Sequence, residues 1–186
     1  MNAAYWILIL VAAAAVLATA IPFVLAYFRA RGARLVTCPA TREPVRVELN
    51  PTEAGVNTIL GGWRTHLRSC SHWPERRGCG QECLLQIEES PTGCSVHALL
   101  AAWFARKTCV FCDKPFGPIH TWSHRPGFRG PDGVTRAWEE VKVESLPRIL
   151  TTSAPVCWDC CVTETFLRDH PELVTHRGEH ASRYVH

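Results

Sequence analysis

The sequence predicts an α+β fold: one apolar N-terminal helix, then a small domain of mixed helices and strands held together through its cysteines. Three observations carry this. Residues Tyr5 to Phe28 contain no charged side chain. All 10 cysteines lie after that segment. Four of them form two close pairs, Cys109-Val110-Phe111-Cys112 and Cys157-Trp158-Asp159-Cys160. A two-residue gap lets two thiolates leave one tight turn toward the same ion, about 2.3 Å away if that ion is zinc.

The apolar run is long enough to cross a hydrocarbon core of about 30 Å, which takes about 20 residues. Tyr5 and Trp6 at one end, and Tyr27 and Phe28 at the other, suit the two interfaces. Pro22 is expected to kink the helix or mark its last turn. The rival is a cleaved signal peptide. No Lys or Arg precedes the run, whereas signal peptides open with a basic region and carry an apolar core of about 7–15 residues. Ala18-Thr19-Ala20 could imitate a cleavage site, but the run continues past it to Phe28. A retained single-pass anchor is therefore expected. Arg29, Arg31 and Arg34 follow the span, and basic flanks stay on the cytoplasmic side. This predicts a chain in the cell inner membrane with its soluble part in the cytoplasm.

That topology governs the cysteine chemistry. In a reducing cytosol the thiols read as metal ligands or redox groups and not as a disulfide framework. The opposite orientation would allow an even count of 10 to pair as disulfides.

The expected organisation is a short tail (1–4), the anchor (5–28), a first cysteine-rich lobe (35–94), a connecting amphipathic helix (95–107), a second lobe with the knuckles (108–175) and a frayed tail (176–186). Val45-Arg46-Val47-Glu48-Leu49 alternates apolar and polar, as a half-buried strand does. Thr41 to Pro44 is the turn before it, and Asn50-Pro51 ends it. Leu84, Leu85 and Ile87 begin a short helix that stops near Ser90-Pro91. Val96, Leu99, Leu100, Trp103 and Phe104 make one helical stripe, with Ser95 as candidate N-cap. Arg106 and Lys107 suit the negative C-terminal end of that helix. Phe116 to Ile119 is a candidate return strand, Arg129 to Gly133 is turn chemistry, and Trp138 to Val143 reads as a strand. Leu146 to Leu150 is a helical turn, and Val162 to His170 is helical until Pro171. No internal repeat of fixed period is seen.

The two pairs Cys109/Cys112 and Cys157/Cys160 predict one shared four-thiolate site. The helix from Val162 would favour the second pair's negative charge. Cys161 competes with Cys160 for the fourth position, though Cys160 has the better spacing. His120 and His124 are weaker candidates. Upstream, Cys70, Cys79 and Cys83 form a dense set. Cys38, before a Pro39 turn, is slightly preferred over Cys94 as the fourth member, and His72 is a further option. A second zinc ion is the leading reading for Cys38, Cys70, Cys79 and Cys83. An iron–sulfur cluster, which also takes four thiolates, is the alternative.

Several functions have no motif here. The net charge of +3 and the lack of a basic run after the juxtamembrane arginines do not indicate nucleic-acid binding. Cys-x-x-Cys-His, a phosphate-binding glycine loop, His-Glu-x-x-His and Gly-x-Ser-x-Gly are all missing. No catalytic residue and no small-molecule substrate are identified.

The paired knuckles resemble a zinc ribbon or treble clef, with a longer spacer than the usual 15–20 or so residues between pairs. With the anchor and Cys70-Ser71-His72-Trp73-Pro74-Glu75-Arg76, the chain resembles the membrane-anchored, cysteine-rich small proteins of bacteria. That resemblance brings no activity with it. The resulting expectation is a structural or interaction module at the cytoplasmic membrane face, holding one or two zinc ions and bracing a protein partner. The competing class is a membrane-tethered iron–sulfur or thiol redox protein.

Overall fold

The computed structural model describes residues 3–62, 65–76, 78–117 and 125–173. Helices and strands mix along the chain, which divides into two compact units, Met1–His97 and Ala98–His186. The tail at 176–186, and with it His120 and His124, lies outside the described residues.

The first unit opens with α1 (Ala3–Ala30). It continues past Pro22 for two further turns, so the proline does not end it. Gly32, at φ 94°, turns the chain into β1 (Ala33–Thr37), a backbone setting that suits a residue without a Cβ. β1 pairs antiparallel with β2 (Pro44–Leu49), and β2 with β3 (Leu67–Cys70). In β2 the alternation holds: Val45, Val47 and Leu49 are buried beside Val36, Leu67 and Ile87. Asn50-Pro51 does more than end β2. The Asn50 side chain accepts from the Glu53 N–H, and Pro51 occupies the first turn of α2 (Pro51–Leu60). These are the favoured N-cap and N1 residues. Gly61 closes α2 in the left-handed conformation. α2 lies against α1, and a Cβ on Gly55 would sit 2.7 Å from the Phe23 ring. α3 (Leu84–Glu89) follows.

Arg34 joins the end of α1 to the rest of this unit. It is buried, and its guanidinium donates to the carbonyls of Arg29 and Pro91. Burial pushes its pKa down, opposed by the nearby Cys94.

α4 (Val96–Phe104) carries the chain into the second unit. There Phe104 is fully buried against Trp103, Phe116 and Phe128. The Trp103 indole N–H donates to the Leu150 carbonyl at 2.7 Å. Lys107 lies over that indole, its ammonium 3.4 Å from the ring centre. A second antiparallel sheet has the order β5-β4-β6, made of Gly127–Arg129 (β4), Thr135–Ala137 (β5) and Ala154–Val156 (β6). The Arg129–Gly133 turn joins β4 to β5, with Asp132 accepting from the Val134 N–H. α5 is Leu146–Thr152 and α6 is Trp158–Asp169.

One expectation is corrected. Trp138 to Val143 is not a strand: Trp138–Glu140 and Val143–Ser145 are 3₁₀ turns. Ala137 is the last residue of β5 because its partner Gly127 is the first of β4. The residue before Gly127 is Pro126, which has no N–H to extend the ladder. Of the return strand expected at Phe116–Ile119, residues 118 and 119 lie outside the described residues; the Phe116 N–H donates to the Lys107 carbonyl at 3.2 Å, beside the bridge between Thr108 and Pro115.

Candidate metal centre

The second unit builds its site from two segments. The first is the loop Cys109–Lys114. The Cys109 N–H donates to the Lys114 carbonyl at 3.0 Å, and the Asp113 N–H donates to the Cys109 carbonyl at 2.9 Å. Asp113 takes the left-handed conformation, φ 55°, to complete the turn, a role its short polar side chain permits. The loop's N–H groups then face inward, and the Cys109 sulfur accepts from Phe111 and Cys112. The second segment is the start of α6. Cys157 is the extended residue before the helix, and Cys160 lies one turn in. The Cys157 N–H donates to the Cys109 sulfur at 3.3 Å, and the Val110 N–H donates to Pro155 at 3.0 Å. β6 is thereby stitched to the loop.

These bonds bring the sulfurs of Cys109, Cys112, Cys157 and Cys160 within 4.8 Å of one another. Cys112 and Cys157 are 3.7 Å apart, sulfur to sulfur. Four sulfurs each about 2.3 Å from a central ion make a tetrahedron with edges of about 3.8 Å. The donor set therefore fits one metal ion. It is the only such grouping of at least three His, Cys, Asp or Glu among the described residues.

The electrostatics suit the same role. Burial pushes the Cys109 thiol up, but the N–H groups of Cys157, Phe111 and Cys112 outweigh it and bring the thiol down to about 7. The Cys157 and Cys160 thiols are raised, first by burial; at Cys160 the crowding of the other three sulfurs adds to it. Without a cation the four cannot all ionise at low cost. A dication supplies the missing charge, and the N-terminal end of α6 adds a favourable dipole.

Cys161 is not part of this group. One residue further along α6 turns it about 100° from Cys160, and its side chain is buried against β4. A Cβ on Gly127 would stand 2.5 Å from its sulfur. The absence of a side chain at 127 is what admits Cys161, a requirement that sequence spacing does not reveal.

In the first unit, Cys38, Cys70, Cys79 and Cys83 line one cavity of about 490 Å³. They are not drawn within the 4.8 Å spacing found at the second unit's sulfurs. Cys94 does not line it; its thiol donates to the Gln86 carbonyl at 3.4 Å. His72 lines the cavity, with Nε2 3.6 Å from the Glu43 carboxylate. Two side chains that sequence reading missed hold these segments. Gln86 both accepts from the Thr37 N–H and donates to the Thr37 carbonyl. Gln81 accepts from the Leu67 N–H at 2.9 Å.

α1 is the one described helix long and apolar enough to cross a membrane, Ala4–Ala30. No family model, curated protein or solved structure matches the chain.

Proposed function

We propose that the protein is a membrane-anchored zinc-binding module. α1 holds its cysteine-rich units at the cytoplasmic face of a bacterial inner membrane, where they recruit or brace a protein partner. The observation that carries the metal reading is the gathering of Cys109, Cys112, Cys157 and Cys160 sulfurs within 4.8 Å. Spacing this tight favours a single ion. A polynuclear iron–sulfur cluster would have to interpose its own irons and sulfides and spread the thiolates apart. The ion's role is structural, because all four positions of the tetrahedron are filled by protein and none is left for substrate.

Two features support the anchor. The large apolar side chains from Tyr5 to Leu17 are exposed on α1, which water would not favour over about three and a half turns. The 27-residue span is about 40 Å long at 1.5 Å per residue. It exceeds the hydrocarbon core by about 10 Å, and its last turns, from Phe23 onward, are where α2 packs. α2 presents Val56, Ile59 and Leu60 exposed, which suits a helix lying at the bilayer interface.

The test is the full chain purified without oxygen in detergent, with metal content and absorption spectrum measured together. Colourless zinc lost in Cys112→Ser supports the reading. Iron with visible absorption replaces it with the redox class. Protease added outside intact spheroplasts should leave the units uncut until lysis; cutting before lysis reverses the orientation. Membrane cross-links to a partner should disappear in Cys112→Ser.

A further inference from the structure

The first unit contains the cysteine loop of the second, with one ligand changed. In the second unit the Cys109 N–H meets the Lys114 carbonyl and the Asp113 N–H meets the Cys109 carbonyl. In the first, the Cys38 N–H meets the Glu43 carbonyl at 2.9 Å and the Arg42 N–H meets the Cys38 carbonyl at 2.8 Å. Asp113 and Arg42, both four residues after the cysteine, share the left-handed conformation at φ 55° and 60°. Thr108 bridges Pro115, and Thr37 pairs with Pro44. The backbone N–H groups two and three residues on donate to the cysteine sulfur in both loops. The sequences align as Thr37-Cys38-Pro39-Ala40-Thr41-Arg42-Glu43-Pro44 and Thr108-Cys109-Val110-Phe111-Cys112-Asp113-Lys114-Pro115. Thr41 thus stands where Cys112 stands, and its hydroxyl donates to the Cys38 sulfur.

A loop with one thiolate needs three from elsewhere to complete a tetrahedron, and the rest of the cavity wall has three. Cys70 ends β3, where Ser71 is bonded to Arg46 of β2 through its backbone and hydroxyl. Cys83 opens α3, which Gln86 clasps to Thr37 beside Cys38. Cys79 lies between them and is exposed. Gly78 and Gly80 flank it, with nothing nearer than 4.0 Å to the position of a Cβ on either, so the Cys79 turn has room to close over an ion. We infer that the first unit binds a second zinc ion through Cys38, Cys70, Cys79 and Cys83, with Cys79 taking the place that Cys112 holds in the second unit. In this assignment His72 stands outside the four ligands: its Nε2 faces the Glu43 carboxylate at 3.6 Å, and its Nδ1 is buried without a hydrogen-bond partner.

The experiment is zinc per chain on the full-length protein in detergent, before and after a chelator wash. Wild type should hold two zinc ions, and Cys112→Ser and Cys70→Ser one each. Cys70→Ser could lose its ion through misfolding alone, so a rescue pair decides. Cys79→Ser should fall from two ions to one in a wash that leaves wild type at two. Adding Thr41→Cys to Cys79→Ser should restore the second ion, because it returns a thiolate to the knuckle. One zinc in wild type that persists in Cys70→Ser overturns the inference, as does a Cys79→Ser loss that Thr41→Cys does not restore. Iron retained in Cys112→Ser also overturns it. Loss of the second unit's ion is read separately, in Cys112→Ser.

Discussion

Gly127→Ala tests the packing that keeps Cys161 out of the metal centre. The added Cβ would lie 2.5 Å from the Cys161 sulfur, 3.3 Å from its Cβ and 2.8 Å from the Arg136 carbonyl oxygen. Carbon contacts are comfortable near 3.5–4.0 Å, so two of these three intrude by about 1 Å. The sulfur can swing only within a buried pocket. The Arg136 carbonyl cannot yield without disturbing the β4–β5 pair, in which Gly127 faces Ala137. Overpacking of this kind costs about 1–3 kcal/mol. In a unit of this size that lowers Tm by about 4–8 °C for each kcal/mol. The assay is thermal unfolding of the full chain followed by tryptophan fluorescence, with zinc measured on the same samples. Cys161→Ala should keep all its metal, and in the double variant it should relieve part of the Gly127→Ala loss. The Arg136 contact remains, so relief should be incomplete; the coupling should be about 0.5–3 kcal/mol. A Gly127→Ala protein that melts like wild type would mean that α6 does not seat Cys161 on β4. Loss of zinc in Cys161→Ala would make that residue a ligand.

Cys112→Ser, or a strong chelator, should abolish the cooperative melting of the second unit. Zinc binding in small thiolate sites reaches about 10–16 kcal/mol, comparable with a domain's whole stability of about 5–15 kcal/mol. Arg34→Met should destabilise the first unit by about 1–3 kcal/mol, because it removes two hydrogen bonds from a buried guanidinium to the carbonyls of Arg29 and Pro91; chemical denaturation in detergent measures it. Gly55→Leu should lift α2 from Phe23 and speed proteolysis within residues 51–60, while leaving zinc content unchanged.

Much of this was legible in the sequence wherever one local signal sufficed. An uncharged run, the alternation through Val45 to Leu49 and the stripe from Val96 to Phe104 each specify an element by themselves. Asn50-Pro51 can signal a helix start as well as a strand end, and the strand-end meaning alone leaves α2 out. The strand expected at Trp138 failed for a reason outside its own residues, the proline before β4. Cysteine spacing identified the pairs of the second unit, but the exclusion of Cys161 depended on Gly127, distant in sequence. The first unit's loop was hidden because threonine replaces its second cysteine. Arg34 differs: read from the sequence it is a flanking charge, and in the fold it is a buried clamp.

That clamp bears on how far the protein can reach. A flexible linker of n residues spans about 5–6 Å times the square root of n, and anchored domains commonly explore the space such slack allows. Here only Arg31 and Gly32 separate α1 from β1, and Arg34 ties the strand back to the last helical turn. Anchored by α1, the first unit would have no leash. A partner would have to meet it at a fixed height above the lipid and in one orientation, and lengthening the connection at Gly32 would remove that constraint while leaving every ligand in place.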